Sequence, residues 1–235
     1  MIPDPRWRYD EERHSGVDFS APEEVDAYDA YMRKMRDIGG EVAKIKAAVG
    51  LGPADAVLDI GCGTGETALG LAPACASVHA VDVSRAMLRC AETKARARGL
   101  ANVAFRQAGF LTCDYPAASF DIVISQFALH HLPDLWKHIA LRRVHALLRP
   151  GGRFLLHDTV LAAAIADYDR HFAAIAAGLA ASAGPKVAGD AVTSFRDEHI
   201  TLDWIMEGLL ARAGFRLASA DYVPPFLAAY LCVKQ

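Results

Sequence analysis

The length, composition and charge of the chain limit the kinds of protein that it can be. Its 235 residues suit one large domain with an appendage, because a domain has about 150 residues on average. With 53% hydrophobic and 23% charged residues and a formal net charge of -3, the sequence is neither disordered nor strongly basic, so no nucleic-acid partner is expected. Charged and histidine residues interrupt the most apolar stretch, residues 155–183, so no membrane span is expected either.

The cysteines and the N-terminus predict a cellular location. The five cysteines are odd in number and scattered, with no C-x-x-C pair and no metal-type Cys/His spacing. Reduced thiols, a cytoplasmic protein and no bound metal are therefore expected. No basic segment followed by an apolar one opens the chain, so no export signal is predicted.

Residues 1–49 are predicted to form an N-terminal helical arm that acts as a lid. Their charged and aromatic composition differs from that of the remaining chain. Apolar positions between Pro22 and Val49 recur at helical spacing, with a break expected near Gly39-Gly40.

Residues 50–235 are predicted to form the main domain, an α/β fold. Short apolar strands alternate with helical patterns, which favours a Rossmann-like, doubly wound, mostly parallel sheet with helices on both faces. Strands are expected at 56–60, 78–82, 103–105, 120–125 and 154–156, with helices at 66–72, 84–98 and 135–148 between them. At about 159–200 a helical insertion, with a loop around Gly184-Pro185 and Gly189-Asp190, is a second lid candidate. A helix at 202–212 and two closing strands, joined by a hairpin at Pro224-Pro225, complete the domain.

The most informative segment is the glycine loop, residues 61–65, which follows a strand and opens a helix. Its alternating glycines allow a ligand to lie against bare backbone at a helix N-terminus. Residues 63–68 also satisfy the dinucleotide pattern G-x-G-x-x-A, with Asp82 placed as a ribose-binding acid, so NAD(P) or a flavin is an alternative ligand. A pyrophosphate here would meet Asp59 and Glu66 and no Arg or Lys, which favours a cationic cofactor without phosphate.

Four motifs in order resemble the class I S-adenosylmethionine-dependent methyltransferase superfamily, small-molecule branch. They are residues 57–65 (VLDIGCGTG), 81–88 (VDVSRAML), 119–132 (SFDIVISQFALHHL) and 148–154 (LRPGGRF). The resemblance implies a seven-stranded sheet whose last strand is antiparallel and lies between the fifth and sixth. It also implies S-adenosylmethionine as cofactor and S-adenosylhomocysteine as product.

The resemblance also implies roles for individual residues in cofactor binding. Asp59 and the backbone of the glycine loop would face the methionine end, Asp82 would accept both ribose hydroxyls, and Val83 and Met87 would pack on adenine. After the third strand the family usually has an acid, but this chain has Gly109-Phe110, so Phe110 would pack on adenine while backbone or Thr112 meets its amino group. The full predicted set is Asp59, Gly61, Cys62, Gly63, Gly65, Asp82, Val83, Met87, Gly109, Phe110, Ser125 and Gln126.

The acceptor side is predicted from residues at strand ends and in the two lid segments. At most one of His130, His131 and His157 is expected to act as a general base. Aromatic residues of the lid segments are candidates for an acceptor pocket: Tyr28, Tyr31, Tyr168, Phe172, Phe195 and Trp204.

The predicted function is methyl transfer from S-adenosylmethionine to a small-molecule acceptor by in-line displacement, in a monomer or homodimer. The protein would contribute positioning and exclusion of water. Two alternatives remain open: an NAD(P)- or flavin-dependent oxidoreductase, and a non-catalytic S-adenosylmethionine-binding module.

Overall fold

The computed structural model describes residues 7–13, 16, 25, 28, 29, 32, 36–161, 165–223 and 226–235. Its strands are β1 (Ala56–Ile60), β2 (Ser77–Asp82), β3 (Val103–Gln107), β4 (Phe120–Gln126), β5 (Leu148–Leu161), β6 (Thr201–Leu202), β7 (Phe215–Val223) and β8 (Leu227–Lys234). Its helices are α1 (Ile38–Val49), α2 (Glu66–Leu71), α3 (Arg85–Ala97), α4 (Asp134–Leu147), α5 (Tyr168–Ala183), α6 (Pro185–Asp197) and α7 (Asp203–Arg212), with short 3-10 turns at Ala72–Ala74 and Leu129–His131.

The strands form one mixed sheet in the order β3-β2-β1-β4-β5-β8-β7. The first five strands in this order run parallel to one another, and β8 pairs antiparallel with both β5 and β7. The predicted Rossmann-like sheet, with its last strand antiparallel between the fifth and sixth long strands, is confirmed. The short strand β6, which pairs with the end of β5, was not expected from the sequence.

Helices cover both faces of the sheet because the central strands are buried on both sides. Apolar residues of α4 and α7 pack on one face, in a core that includes Leu58, Phe120 and Phe154. Apolar residues of α1 and α2 pack on the opposite face, against Val57 and Ile122. The parallel order brings the carboxyl ends of β1, β2 and β4 to one edge, where ligands bind in such sheets.

Two local predictions are wrong. The helix expected to break near Gly39-Gly40 instead begins there, because the Asp37 carboxylate accepts a hydrogen bond from Gly40 N (3.1 Å) and caps α1. The loop expected around Gly189-Asp190 is helix α6. Pro185 stands at its first turn, and Val187 and Ala188 are buried, so tertiary packing outweighs the low helix propensity of Gly189.

The strand predicted at 154–156 is longer in the structure, since β5 pairs with β4 on one side and with β8 on the other. The hairpin predicted at Pro224-Pro225 lies outside the described residues. Among the residues that the structure describes, no helix has both the length and the apolar character needed to cross a membrane.

Candidate functional site

A pocket lies at the carboxyl edge of the sheet, over the ends of β1, β2 and β4. Most of the predicted cofactor-binding residues line it: Asp59, Gly61, Cys62, Gly63, Asp82, Val83, Met87, Gly109, Phe110 and Gln126. Gly65 and Ser125 do not. Gly65 lies against Ala91 of α3, and the buried Ser125 hydroxyl donates a hydrogen bond to Ile60 O (2.9 Å).

The glycine loop turns sharply away from β1 and leaves bare backbone facing the pocket. The amides of Gly61 and Cys62 both donate hydrogen bonds to Val81 O (2.8 and 3.0 Å), which fixes the loop against β2. Gly61 has a φ of +73°, and a Cβ there would lie 2.3 Å from Ala128 Cβ. Gly63 has a φ of +54°, and no heavy atom lies within 4 Å of the place that a Cβ would take. The loop therefore tolerates only glycine at the first position and has open space for a ligand beside the second.

Asp59 presents a buried carboxylate to the same pocket. Its side chain is 2% exposed, and Oδ2 has no hydrogen-bond partner among the described residues. Burial, and then the nearby Asp82 carboxylate, raise the pKa of Asp59 to about 7. A buried carboxylate oxygen without a partner is costly unless a ligand supplies a cation or a donor. Asp59 is therefore suited to a cationic group such as an ammonium.

Asp82 is the last residue of β2, and backbone amides hold its carboxylate. Gly63 N donates to Oδ2 and Ser84 N donates to Oδ1, both at 2.8 Å. Burial raises the pKa of this carboxyl group. Because each carboxylate oxygen has two lone pairs, both oxygens can still accept a hydroxyl from a ligand.

Glu66 differs from what the sequence indicated. It pairs with Lys94 of α3 (2.9 Å) and with Arg98, which directly follows α3 (2.7 Å), so the expectation of no Arg or Lys beside it is wrong. Burial alone would raise the pKa of Glu66, but hydrogen bonds from Arg98 and Lys94 lower it to about 2. The C-terminal end of α3 places these two cations beside Glu66, a contact that the spacing in the sequence does not predict. The charge of Asp59 therefore remains as the electrostatic reason that a pyrophosphate is disfavoured here.

The residues after β3 form a second wall with an unexpected partner, Glu11. Its carboxylate accepts hydrogen bonds from Leu111 N (3.0 and 3.1 Å) and from the Thr112 hydroxyl (2.6 Å). A Cβ on Gly109 would lie 2.4 Å from Glu11 Oε2. Glu11 and Phe110 both line the pocket, and burial raises the pKa of Glu11. An acid from the N-terminal segment thus lies where Gly109 leaves room for it.

Four described residues of the N-terminal segment also line the pocket: Tyr28, Asp29, Met32 and Arg36. The Thr64 hydroxyl donates a hydrogen bond to Asp29 Oδ1 (2.6 Å), and Lys94 forms an ion pair with the same carboxylate. Tyr31, also predicted to be in the acceptor pocket, lies outside the described residues.

Phe127 has an unusual backbone conformation at the end of β4. Its φ is +53°, a conformation that costs a bulky residue of order 1–3 kcal/mol. Three contacts hold it there: a hydrogen bond from its amide to His157 O (2.8 Å), the His157 ring (4.6 Å between centroids) and the Arg36 guanidinium (4.8 Å from the ring). Phe127 lines the pocket, and such strain is typical of functional positions.

The structure separates the three predicted catalytic histidines. His131 lines the pocket, whereas His130 and His157 do not. His130 is buried between Asp158 (2.5 Å from Nδ1) and Glu198 (3.1 Å from Nε2). Burial alone would lower the pKa of His130, but these carboxylates raise it to about 10. Burial and then the charge of His130 lower the pKa of His131 to about 4, so His131 is uncharged at neutral pH.

Glu198 was not predicted, and its side chain is 3% exposed. It follows α6 in a polar stretch whose composition is typical of solvated surface, and its distance from His130 along the sequence matches no known motif. Burial lowers the pKa of His157, with a further contribution from Arg36.

The remaining aromatic residues do not line this pocket. Trp204 is 62% exposed, while Phe172 packs against Tyr168 (6.3 Å between centroids) and Phe195 (4.9 Å) in the two helices of the insertion. Their place in an acceptor pocket stays a prediction.

Comparisons with known proteins agree with this geometry. Residues 57–152 match the family described as "Methyltransferase domain". Over 102 residues the chain is 40% identical to "Uncharacterized methyltransferase YcgJ" of Bacillus subtilis, which covers 43% of this chain and 40% of that one. Over 109 residues it is 39% identical to "27-O-demethylrifamycin SV methyltransferase" of Amycolatopsis mediterranei, which covers 46% of this chain and 39% of the relative. The chain thus spans about two fifths of the length of these relatives.

The fold is shared over a longer range. A solved structure of geranyl diphosphate methyltransferase in complex with SAM superposes with a TM-score of 0.67 at 14% identity, covering 95% of this chain and 98% of that chain. At that identity the match shows the fold alone.

Proposed function

The chain belongs to the class I S-adenosylmethionine-dependent methyltransferase superfamily, and we propose that it transfers a methyl group to a small-molecule acceptor. The observation that carries the proposal is the unpartnered, buried Oδ2 of Asp59, which lines the same pocket as the bare backbone at Gly63. S-adenosylmethionine has an ammonium and a sulfonium but no phosphate, so it supplies the cationic charge that this wall lacks. NAD(P) and flavin dinucleotides carry a pyrophosphate, which the carboxylate of Asp59 disfavours.

The residues of the pocket suggest how the cofactor would be held. Asp59 would bind the ammonium, Asp82 would accept the ribose hydroxyls, and the apolar side chains of Met87 and Phe110 would contact adenine. Glu11 would accept a hydrogen bond from the adenine amino group, the position for which the sequence offered only backbone or Thr112. The Thr112 hydroxyl is already donated to Glu11.

When bound, S-adenosylmethionine supplies a methyl group on a sulfonium that is already a good leaving group. The protein would therefore contribute positioning and exclusion of water, with Phe127 and the N-terminal segment covering the reacting atoms and the acceptor entering for in-line displacement. Of the three predicted histidines, His131 is the one that lines the pocket, and its imidazole is uncharged.

Several observations support a small acceptor. The net charge is -3, which disfavours the phosphates of a nucleic acid. The relative from Amycolatopsis and the fold neighbour are both named for small molecules, 27-O-demethylrifamycin SV and geranyl diphosphate.

The test is calorimetric titration of the purified protein with S-adenosylmethionine, S-adenosylhomocysteine, NADH and NADPH. We expect micromolar binding of the adenosyl pair and none of the nicotinamide pair. The reverse result would replace the proposal with the oxidoreductase alternative. If the adenosyl pair binds but a broad screen of small acceptors gives no methylated product, the non-catalytic binding module becomes the better interpretation.

A further inference from the structure

A second polar cluster lies beside the pocket and has no role in cofactor binding. It contains His130 and His131, which form the turn after β4, Asp158 in β5, and Glu198, which follows α6. One ligand-type atom each from His130, His131 and Glu198 lies within 4.8 Å of the others. His130, Asp158 and Glu198 are all buried, whereas 36% of the His131 side chain is exposed.

Asp158 fixes the orientation of the His130 ring. Its Oδ1 lies 2.5 Å from His130 Nδ1, and its Oδ2 accepts a hydrogen bond from the His130 backbone amide (3.0 Å). With both carboxylate oxygens used in this way, the opposite ring nitrogen, Nε2, is directed away from Asp158. A carboxylate on the far nitrogen of a histidine is the usual outer-shell arrangement at metal sites.

Glu198 faces that nitrogen in poor hydrogen-bond geometry. Its Oε2 lies 3.1 Å from His130 Nε2, yet it is a buried oxygen with no partner of hydrogen-bond geometry among the described residues. Its Oε1 lies 3.9 Å from His131 Nδ1. Two imidazole nitrogens and one carboxylate therefore surround a common point, and a buried acceptor is left unsatisfied there.

We propose that His130, His131 and Glu198 bind a divalent transition-metal ion, with Asp158 as the carboxylate that orients His130. The ion would replace the proton on His130 Nε2, which is released to solvent. Two histidines and one glutamate are a known ligand set for Zn²⁺ and similar ions. Zn²⁺ in such sites keeps a fourth position open. The three protein donors come from positions 130, 131 and 198, a spacing with no metal motif, which explains why the sequence predicted no metal.

The ion would lie next to the pocket, because His131 belongs to both. Its open coordination position would then be available to an oxygen of the acceptor, whose pKa a bound metal lowers. This consequence rests on the proposed function, but the metal site itself does not.

The test is titration of EDTA-treated protein with Co²⁺, whose visible absorption reports the ligands and their geometry. We expect one Co²⁺ per chain with nitrogen and oxygen ligands. Loss of an outer-shell partner weakens metal binding about 10- to 100-fold, and Asp158→Asn should have an effect in that range. Glu198→Gln and His131→Gln each remove a ligand and should weaken binding at least as much. His145→Gln, whose ring packs on Phe215 in another part of the core, is the matched control and should bind as the parent does.

Three results would overturn the proposal: no Co²⁺ binding, a thiolate-to-cobalt absorption band that assigns the ion to cysteine, or unchanged affinity in Glu198→Gln. Circular dichroism of each variant identifies misfolding, and Glu198→Gln keeps the test valid if the buried Asp158→Asn does not fold. Titration of the metal-free protein with S-adenosylhomocysteine tests the cofactor site separately, so failure of one proposal is distinguishable from failure of the other.

Discussion

The sheet side of the pocket is held by backbone hydrogen bonds, whereas the covering side is held by side chains. On the sheet side, Val81 O binds the first amides of the glycine loop, and the amides of Gly63 and Ser84 fix Asp82. On the covering side, Asp29 is held by Thr64 and Lys94. Arg36 likewise pairs with Glu41 by side-chain contact.

The difference shows which half of the site is formed before a ligand arrives. Backbone hydrogen bonds of a buried sheet persist as long as the domain is folded, but partly exposed ion pairs contribute little and weaken with salt. We therefore expect substitutions on the sheet side to change cofactor affinity strongly. Substitutions on the covering side should have smaller effects.

The largest effect is expected for Asp82→Ala. The change removes a carboxylate that would accept two ribose hydroxyls, and each hydrogen bond to a charged group contributes about 1.5–3 kcal/mol. The dissociation constant for S-adenosylhomocysteine, measured by calorimetry, should rise at least about 100-fold.

Asp114→Ala removes a charge at an exposed position after β3 and should leave the dissociation constant unchanged. Since Asp82 also holds two backbone amides, circular dichroism must show that Asp82→Ala is folded. An unchanged constant in a folded variant would remove the ribose assignment.

Asp59→Asn should have opposite effects on binding and on stability. Removal of a buried charge partner for the ammonium should weaken S-adenosylhomocysteine binding by about 30-fold, or roughly 2 kcal/mol. The cofactor-free variant should nevertheless unfold at a higher temperature than the parent, because the parent holds a carboxylate without a partner on Oδ2.

The pH dependence of that stability gain follows from the pKa of Asp59, which is about 7 in the folded protein against 3.8 ordinarily. Between these values the folded chain holds a proton that the unfolded chain has released, so parental stability falls as pH rises and the full cost is present above about 7. The gain in the free energy of unfolding of Asp59→Asn should therefore grow between about pH 4 and about pH 8, where it reaches about 1–4 kcal/mol. Denaturant unfolding at several pH values measures it. A gain that is constant with pH would show that Asp59 does not titrate in this window.

The contrast between backbone and side-chain contacts also explains how much of the fold and of the site could be predicted from the sequence. The strands of the parallel sheet and the pocket residues of the glycine loop come from contiguous patterns, in which apolar runs and turn residues determine the backbone locally. The place of the antiparallel last strand came from the family resemblance. The helix start at Asp37 and helix α6 were missed because a cap and tertiary packing outweighed the tendency of Gly40 and Gly189 to end helices.

Glu11 and Glu198 could not be found in this way. Glu11 meets Thr112 across 101 positions, and Glu198, between α6 and β6, meets His130 in the turn after β4. Contacts between side chains of distant segments have no period and no fixed spacing, so only the folded chain brings them together.

The smallest of the three effects is expected for Glu11→Gln on the covering side. The substitution keeps the shape of the side chain but places an amide donor opposite Leu111 N or the Thr112 hydroxyl. S-adenosylhomocysteine binding should weaken about five- to tenfold, the loss of roughly one hydrogen bond to a charged group. Asp10→Asn makes the matching change at a nearby exposed position that does not line the pocket and should bind as the parent does.

An analogue with hypoxanthine in place of adenine separates recognition of the base from support of the loop. Hypoxanthine has an oxygen where adenine has an amino group, so a carboxylate at that position attracts one base and repels the other. The parent should therefore bind the adenosyl ligand more tightly than the hypoxanthine analogue, and Glu11→Gln should lose most of that preference. Comparing two ligands in two proteins isolates the interaction energy between Glu11 and the amino group of the base. If Glu11→Gln weakens both ligands equally, Glu11 supports the loop after β3 and does not bind the base, and cofactor recognition belongs to the sheet side alone.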